Sequence, residues 1–271
     1  MEDIGLGVIG FGRMASAIVE PLLSSRDLSA DHLFAVVASS ARAEQLNAEL
    51  PNAVRVYPVC SEQAQDVWTM PIQLLAIKPQ QLDAVAASAP QLDQHPLLIS
   101  VLAGVSLGRL QRLFPSHHCV RAVPNTPALV GAGLTALAWG DQVNEQQKGQ
   151  VTALFSRVSE VLELPEDKLD AFLALTSSGP AFIALVAEAM ADGAVASGLP
   201  RELAHRLAHR TLAGTAALLQ ERQLHPAALK DMVSSPAGTT MAGLRRLEQA
   251  GMRSALIEAV VAAAERSREL A

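Results

Sequence analysis

Short apolar runs alternate with amphipathic helical patterns from Gly5 to about Leu164. The runs read GLGVIGF, LFAVVAS, IQLLAIKP and PLLISVLAG, and the helical patterns between them include MASAIVEPLL and ARAEQLNAEL. Strands that alternate with helices form βαβ units, in which helices cover both faces of a parallel sheet. The pattern therefore predicts an α/β domain over residues 1–164, built on a parallel sheet.

The pattern changes at about Pro165, after which no convincing strand follows and one Ala-rich helix succeeds another. Residues 165–271 are predicted to form a second, all-α domain. Its stretch Ala181–Ser197 is apolar on nearly all sides, with Glu188 and Asp192 as its only charges. Because a small domain cannot enclose such a helix, we expect the helix to pack against another subunit.

Composition and charge narrow the class of partner. Half of the 271 residues are hydrophobic, 3% are aromatic, and the net charge is −6. An acidic chain without clustered Lys and Arg lacks the basic surface that nucleic-acid binding requires. A small-molecule ligand is favoured instead.

Three features predict a cytoplasmic protein that does not cross a membrane. Cys60 and Cys119 form no CxxC motif and no disulfide framework, which fits a reducing compartment. Glu2 and Asp3 stand where a secretory signal requires positive charge. The uncharged stretch Ala171–Ala187 is shorter than the ~20 residues of a membrane span.

A glycine-rich loop follows the first predicted strand, Leu6–Ile9, and opens the first predicted helix. It fits the dinucleotide-binding pattern GxGxxG/A, whose first glycine permits a tight turn and whose second lets the backbone approach a pyrophosphate. A glycine-rich turn without a ligand is the alternative. The context favours a Rossmann-type domain, and the predicted cofactor contacts in this loop are Gly10, Phe11, Gly12, Arg13 and Met14.

The end of the second predicted strand, Phe34–Ala38, indicates which dinucleotide is bound. A site specific for NAD would carry Asp or Glu there, whereas this chain has Ser39, Ser40 and Arg42. Hydroxyls and a guanidinium suit a 2′-phosphate. NADPH is therefore preferred as cofactor and NADH is the less preferred alternative, unless Arg42 merely decorates the start of a helix.

A second small-residue loop, KDMVSSPAGTT (Lys230–Thr240), leads into another apolar helical pattern. Backbone N–H groups at the start of a helix bind anions, so those of Ala237 to Thr240 are suitable hosts for a carboxylate. Two anion-binding loops predict a reductase that holds a phosphate-bearing cofactor with one and a small anionic substrate with the other.

Three further patterns are weighed as competing chemistry. The segment Gly104–Gly108 fits the GxSxG motif of serine hydrolases, but no HGGG-like segment precedes it and Ser106 is equally suited to cap a helix. His205 and His209 have a zinc-pair spacing without an evident third ligand, and His117, His118 and Cys119 are interpreted as loop residues. No metal site is predicted.

Six segments together resemble the pyrroline-5-carboxylate reductase family, which catalyses the last step of proline synthesis. The resemblance extends over essentially the whole chain. The segments are GFGRMASAI (10–18), LLAIKPQQL (74–82), ISVLAGVS (99–106), RAVPNTPALVGAG (121–133), LTSSGPAFIALVAEAMADGAVASGLPRELA (175–204) and HPAALKDMVSSPAGTTMAGLRRLEQAGMRSALIEAV (225–260).

The resemblance implies a Rossmann domain followed by a helical dimerisation domain, an active site at the subunit interface, and assembly as a homodimer or a higher oligomer. It implies further cofactor contacts from Ala76, Ile77, Lys78, Pro79, Ala103 and Asn125. The residues implied to bind substrate are Ser235, Ala237, Gly238, Thr239, Thr240 and Glu166. Thr240 is implied to reach the ring nitrogen of the substrate, which makes it the candidate catalytic residue, and capping of the following helix is its alternative role.

The implied reaction is the NADPH-dependent reduction of 1-pyrroline-5-carboxylate to L-proline. Alternatives are a reductase of another cyclic imine or a 3-hydroxy acid dehydrogenase with the same fold, or a cofactor-binding protein without activity. The helix Ala181–Ala196 contains no Lys for hydroxy-acid chemistry. Ala237 stands where the family usually has Gly, and Ala disfavours a positive φ that Gly accepts.

Overall fold

The computed structural model describes residues 5–270. Glu2 and Asp3, and with them the sequence argument against a secretory signal, lie outside this range. Contacts divide the chain into two compact units: residues up to Ser177 with those from Ala263 onward, and Ser178–Ala262. The domain division at 164/165 stays a prediction.

The first unit is built on one sheet of eight strands in the order β3-β2-β1-β4-β5-β6-β7-β8. Pairing is parallel except between β6 and β7, so the predicted Rossmann-type parallel sheet is confirmed, with one antiparallel pairing that the sequence did not predict. The strands are β1 Leu6–Ile9, β2 Leu33–Val37, β3 Arg55–Pro58, β4 Ile72–Leu75, β5 Leu97–Ser100, β6 His118–Val123, β7 Gly133–Trp139 and β8 Ser159–Glu163.

Eleven α-helices lie within the described residues. Six belong to the first unit: α1 Arg13–Ser24, α2 Ser40–Glu49, α3 Leu82–Ser88, α4 Leu107–Leu113, α5 Glu145–Phe155 and α6 Leu169–Thr176. The others are α7 Gly179–Ala196, α8 Arg201–Glu221, α9 Pro226–Met232, α10 Thr239–Gln249 and α11 Met252–Glu269.

Helices cover both faces of the central strands, as the continuous apolar runs predict. All four residues of β1, β4 and β5 are buried. Val8 packs with Ile18 of α1 on one face, whereas Ile9 packs with Leu110 of α4 on the other. Burial on both faces explains why these strands have no alternation of apolar and polar residues.

Strand β6 begins at His118, inside the segment interpreted from sequence as loop. His118 and Cys119 pair with Leu97 and Leu98 of β5, so their interpretation as loop residues is wrong. Burial raises the pKa of the Cys119 thiol to about 12, whereas Cys60 is exposed.

His117, just before β6, has its tautomer fixed by one hydrogen bond and is kept neutral by burial. Gln73 donates from Nε2 to the carbonyl oxygens of Trp68 (2.9 Å) and Met70 (3.1 Å), so its Oε1 accepts from His117 Nε2 at 3.0 Å. Nδ1 of this buried imidazole has no partner among the described residues and would carry the added proton. Burial, and secondarily the nearby His95, lower the pKa of His117 from 6.5 to about 4.

Acid is therefore expected to destabilise the protein between pH 6.5 and 4. The unfolded chain takes up the His117 proton below pH 6.5 and the folded chain does so only near pH 4, so stability is complete above this window and declines as pH falls through it. The total loss is up to about 3 kcal/mol. Urea denaturation at several pH values measures it. We expect His117→Gln to flatten the slope and His209→Gln, at an exposed site, to preserve it; equal slopes would contradict the assignment.

The second unit is helical, and its small core is alanine-rich. Helices α7 and α8 pack through Ala191, Ala204 and Ala208. Gly198 ends α7 with a φ of +102°, and Pro200 stands directly before α8. Tight packing of alanines brings the two helices together but leaves the larger side chains outside the contact.

Much of the apolar surface of α7 is exposed within one chain, including Ile183, Leu185 and Met190. By length and composition, the continuous helical stretch Glu166–Ala196 is the one segment of the described residues that is apolar enough to cross a membrane. The uncharged Ala171–Ala187 is only part of this helix, which continues past charged residues on both sides and is therefore longer than the uncharged stretch indicates. An exposed apolar face of this size requires a partner.

Candidate active site

The predicted cofactor segments meet at one edge of the sheet. Strands β1 to β6 are parallel, so their carboxyl ends share an edge. The strand order reverses between β1 and β4, and dinucleotides bind at such a switch point in open α/β sheets. The segments that follow these strands are Gly10–Met14 after β1, Ser39–Arg42 after β2, Ala76–Pro79 after β4, Ala103 after β5 and Asn125 after β6.

The two glycines of the first loop have different surroundings. Gly10 has a φ of +87°, and a Cβ there would lie 2.7 Å from Ile77 Cγ2 and 2.8 Å from the Ala76 carbonyl oxygen. Gly12 has a φ of −99°, and a Cβ there would have no heavy atom within 4 Å apart from its immediate chain neighbours. Gly10 thus lets the loop lie against the end of β4, whereas Gly12 leaves open space at the start of α1.

The start of α1 has the features of an anion site. Gly12 is its N-cap, no side chain caps it, and its first turn contains no acidic residue. Arg13 and Met14 therefore present backbone N–H groups without an intrahelical partner. These groups and the open space at Gly12 fit a dinucleotide pyrophosphate.

Arg42 connects the loops that follow β1 and β2. Its Nη2 donates to the carbonyl oxygen of Phe11 at 3.3 Å, and its Nη1 lies 4.0 Å from a carboxylate oxygen of Glu49. Ser39 accepts a hydrogen bond from the Arg42 backbone N–H and caps α2, while Ser40 is exposed. The guanidinium is therefore held beside the glycine loop and does not simply extend into solvent from the start of α2.

Ser106 and Asn125 are largely occupied by structural hydrogen bonds. Ser106 Oγ accepts from the Arg109 N–H and caps α4, which accounts for the GxSxG motif without hydrolase chemistry. Asn125 is buried, donates from Nδ2 to the Thr176 carbonyl oxygen (2.9 Å) and accepts at Oδ1 from the Leu134 N–H (2.8 Å). Its side chain has one N–H left, so a cofactor contact from Asn125 would use that or the backbone.

Glu166 forms an ion pair that the sequence did not predict. Its Oε1 accepts from the Leu107 backbone N–H at 2.7 Å and from Arg121 Nη1 at 3.0 Å. Arg121 lies on β6 with 6% of its side chain exposed. The contact with a substrate amine that the resemblance implies for Glu166 stays a prediction.

The loop Ser234–Thr240 of the second unit begins with a tight turn. The Gly238 N–H donates to the Ser235 carbonyl oxygen at 3.0 Å, and Ala237 between them has a φ of +55°. With Pro236 in the second position, this is the geometry of a type II turn. A Cβ at Gly238 would overlap Ser235 Oγ. The N–H of Gly238 is thus engaged, and those of Thr239 and Thr240 stay available to an anion.

Thr240 is free of the alternative role considered for it. The N-cap of α10 is Gly238 and no side chain caps the helix, so Thr240 does not have the capping role considered as its alternative. The reason is the turn, which starts the helix at Thr239. Among the described residues, the Thr240 hydroxyl has no hydrogen-bond partner and is partly exposed. It is available to a ligand.

Replacing Ala237 by Gly is expected to stabilise the protein by about 0.5–1 kcal/mol. An L-residue in the left-handed region is destabilised by about 1–2 kcal/mol, and Gly removes this cost. Gly also increases the entropy of the unfolded chain, which offsets part of the gain. Ala242→Gly, at an exposed helical position of α10, is the matched control and should destabilise by up to about 1 kcal/mol. Thermal unfolding measures both, and a loss of stability in Ala237→Gly would contradict the turn geometry.

Two other features lie apart from these segments. No group of three or more His, Cys, Asp or Glu residues in the described part of the chain is placed to hold a metal ion. A groove of about 770 Å³ opens near the amino ends of β4 and β5, lined in part by Pro71, His95 and Gln147. None of its residues belongs to the predicted site.

Comparison with known proteins places these segments in a family. Residues 166–270 match the family model for pyrroline-5-carboxylate reductase dimerisation, and residues 5–104 match the model for NADP oxidoreductase, coenzyme F420-dependent. The chain is 47% identical to a pyrroline-5-carboxylate reductase of Synechocystis sp. over 268 residues, 99% of this chain and 98% of that one. A reductase of the same name from Arabidopsis thaliana is 37% identical, with 99% and 96% covered.

Solved structures agree with the sequence relatives. A Plasmodium falciparum pyrroline carboxylate reductase with NADP bound superposes with a TM-score of 0.86 at 28% identity, covering 100% of this chain and 99% of that one. The 1-pyrroline-5-carboxylate reductase of Streptococcus pyogenes gives a TM-score of 0.85 at 28% identity, with 98% of each covered. With its glycine loop, its helical unit and relatives that match it over nearly its whole length, this chain belongs to the pyrroline-5-carboxylate reductase family.

Proposed function

We propose that this protein reduces 1-pyrroline-5-carboxylate to L-proline with NADPH. The observation that carries the proposal is the open glycine loop with Arg42 held beside it, in a chain similar to reductases of this name over 99% of its length. Arg42, with Ser39 and Ser40, selects the 2′-phosphate, and the uncapped start of α1 binds the pyrophosphate.

NADPH, when bound, supplies the hydride that the imine carbon of the substrate accepts. The protein then has to position the ring and support the charge on its nitrogen. The N–H groups of Thr239 and Thr240 hold the substrate carboxylate at the uncapped start of α10. The Thr240 hydroxyl hydrogen-bonds the ring nitrogen, which ends the reaction as the secondary amine of proline.

We also propose that two chains pair through the helical unit and that the dimer acts in the cytoplasm. The exposed apolar residues of α7 and the match to a dimerisation family support the pairing. Light scattering after size exclusion tests it, and a monomer at micromolar concentration would contradict it.

The function is tested by NADPH oxidation at 340 nm with three substrates. They are pyrroline-5-carboxylate, its six-membered homologue, and a pyrroline without the carboxylate. Turnover with the first alone supports both the reaction and the carboxylate-binding loop. Equal turnover without the carboxylate would remove the role of Thr239 and Thr240 as anion hosts, and NADPH binding without turnover on any substrate would contradict the reaction.

Arg42→Ser is expected to raise the KM for NADPH about tenfold or more and to leave the KM for NADH nearly unchanged. A charge-assisted hydrogen bond to phosphate contributes about 1.5–3 kcal/mol to binding. NADH has no 2′-phosphate, so its binding does not depend on this bond. Steady-state kinetics with both cofactors measure the ratio. Arg112→Ser, which removes an exposed Arg from α4, is the control and should change neither KM; a parallel rise for NADH in Arg42→Ser would contradict the phosphate contact.

A further inference from the structure

Two donors from distant parts of the chain meet at one carboxylate oxygen of Glu166. Glu166 Oε1 accepts from the Leu107 N–H at 2.7 Å and from Arg121 Nη1 at 3.0 Å. The side chain of Arg121 is 6% exposed and that of Glu166 is 34% exposed. Arg121 is thus the buried partner of the pair, and the other carboxylate oxygen, Oε2, accepts no hydrogen bond from the described residues.

The buried position of Arg121 determines what Glu166 can do. A guanidinium that stays charged inside the protein requires an anionic partner, and removing that partner is strongly destabilising. Glu166 is the acidic residue paired with Arg121 in the described part of the chain. Movement of this carboxylate toward another cation would leave Arg121 buried without a counter-charge.

The ion pair adjoins a loop predicted to contact the cofactor. Arg121 lies opposite Ser100, the last residue of β5, and Leu107 is the first residue of α4. Between them, Val101–Ser106 contains Ala103, and Gly104 has a φ of +72°. The loop is tied at its start by the Val101 N–H, which donates to the Leu75 carbonyl oxygen at 3.1 Å, and just after its end by the bond from Leu107 to Glu166.

We propose that Arg121 is a positioning residue for this cofactor loop. Its guanidinium fixes the Glu166 carboxylate on the Leu107 N–H, and this bond sets the conformation of Val101–Ser106 against which NADPH binds. The inference rests on the proposed cofactor, and it assigns Glu166 to the cofactor loop rather than to the substrate amine.

The test measures the Kd of NADPH by fluorescence titration without substrate, alongside thermal stability. Arg121→Met and Glu166→Ala are each expected to weaken NADPH binding about fivefold or more. Because both act through one contact, the double variant should bind about as weakly as either single variant. Glu166→Gln keeps an oxygen for Leu107 and Arg121→Lys keeps the charge, so both should retain part of the affinity and supply soluble protein if the larger changes do not.

A matched control separates positioning from general destabilisation. Leu154→Ala truncates a buried residue of α5, which packs on β8 at the edge of the sheet, and should lower thermal stability with the Kd of NADPH within twofold of the original. If Arg121→Met weakens NADPH no more than Leu154→Ala does, the positioning role is overturned.

A kinetic readout distinguishes the two roles for Glu166. Positioning of the cofactor loop leaves the KM for pyrroline-5-carboxylate unchanged at saturating NADPH in all these variants. A raised substrate KM in Glu166→Ala with an unchanged NADPH Kd would overturn the inference in favour of the substrate amine. If the protein does not reduce pyrroline-5-carboxylate but binds NADPH, the proposed function fails while the measured effects of the variants on NADPH binding still test the inference. If the unsubstituted protein does not bind NADPH, both proposals are overturned.

Discussion

Replacing Gly12 by Ala is expected to weaken NADPH binding more than tenfold while changing the free energy of unfolding by less than about 1 kcal/mol. The φ of −99° suits any residue, and a Cβ at this position meets no heavy atom within 4 Å apart from its immediate chain neighbours. The added methyl group instead occupies the open space at the start of α1 where the pyrophosphate must approach the backbone. Fluorescence titration and thermal unfolding measure the two effects.

Gly10→Ala is the matched comparison and should act mainly on the fold. Its φ of +87° and the overlap of a new Cβ with Ile77 and Ala76 predict a loss of about 2–4 kcal/mol of stability. Two neighbouring glycines thus carry opposite expectations. If Gly12→Ala destabilises the protein as strongly as Gly10→Ala, or binds NADPH normally, the assignment of this loop is wrong.

Thr240→Val is expected to lower kcat about 100-fold with little change in stability. Valine keeps the branched shape and removes the hydroxyl, which makes no hydrogen bond within the described residues and does not cap α10. A positioned hydrogen-bonding or proton-transferring group contributes about 10²–10⁴ to the rate. Steady-state kinetics at saturating NADPH and substrate measure the change.

Two variants make the Thr240 prediction specific. Thr240→Ser restores the hydroxyl and should recover most of the activity, although its extra rotamers reduce the recovery. Thr152→Val removes a hydroxyl from α5 and should leave kcat unchanged. A kcat for Thr240→Val within twofold of the original would exclude a catalytic role.

The cofactor end of the fold is readable from sequence because its information is local. Strand β1 has the predicted bounds, Leu6–Ile9, and Gly10 has the positive φ that the motif requires. Burial on both faces of β4 and β5 appears directly as uninterrupted apolar runs. In each case the evidence lies within about ten consecutive residues.

The far edges of the sheet were not predicted because their strands lack such a signal. Strand β3 mixes exposed and buried residues over its four positions. In β8, the exposed Glu160 and Glu163 flank two residues that are only partly buried. Strand β7 is antiparallel to β6, a pairing that a βαβ pattern does not announce. Short strands covered on one side only carry too few apolar residues to be distinguished from loops.

Contacts across the chain explain the remaining differences at the site. Glu166 lies 45 residues from Arg121 and 59 from Leu107, so no spacing rule connects them. The sequence shows that Ala237 replaces a residue that is usually Gly. Only the structure shows that the turn containing its positive φ places the start of α10 at Thr239. Sequence patterns identified the loops, whereas the partner of each polar group required the folded chain.

The exposed apolar side chains of α7 make dilution a relevant variable for this protein. With the proposed pairing, the folded state of each chain is linked by mass action to a second chain. Melting temperatures of variants therefore have meaning only at matched protein concentrations. The same linkage acts in both directions in a mixed dimer: a weakened chain draws its normal partner toward the unfolded population, and the normal chain holds the weakened one in the folded dimer, so mixed dimers are expected to unfold between the two pure dimers.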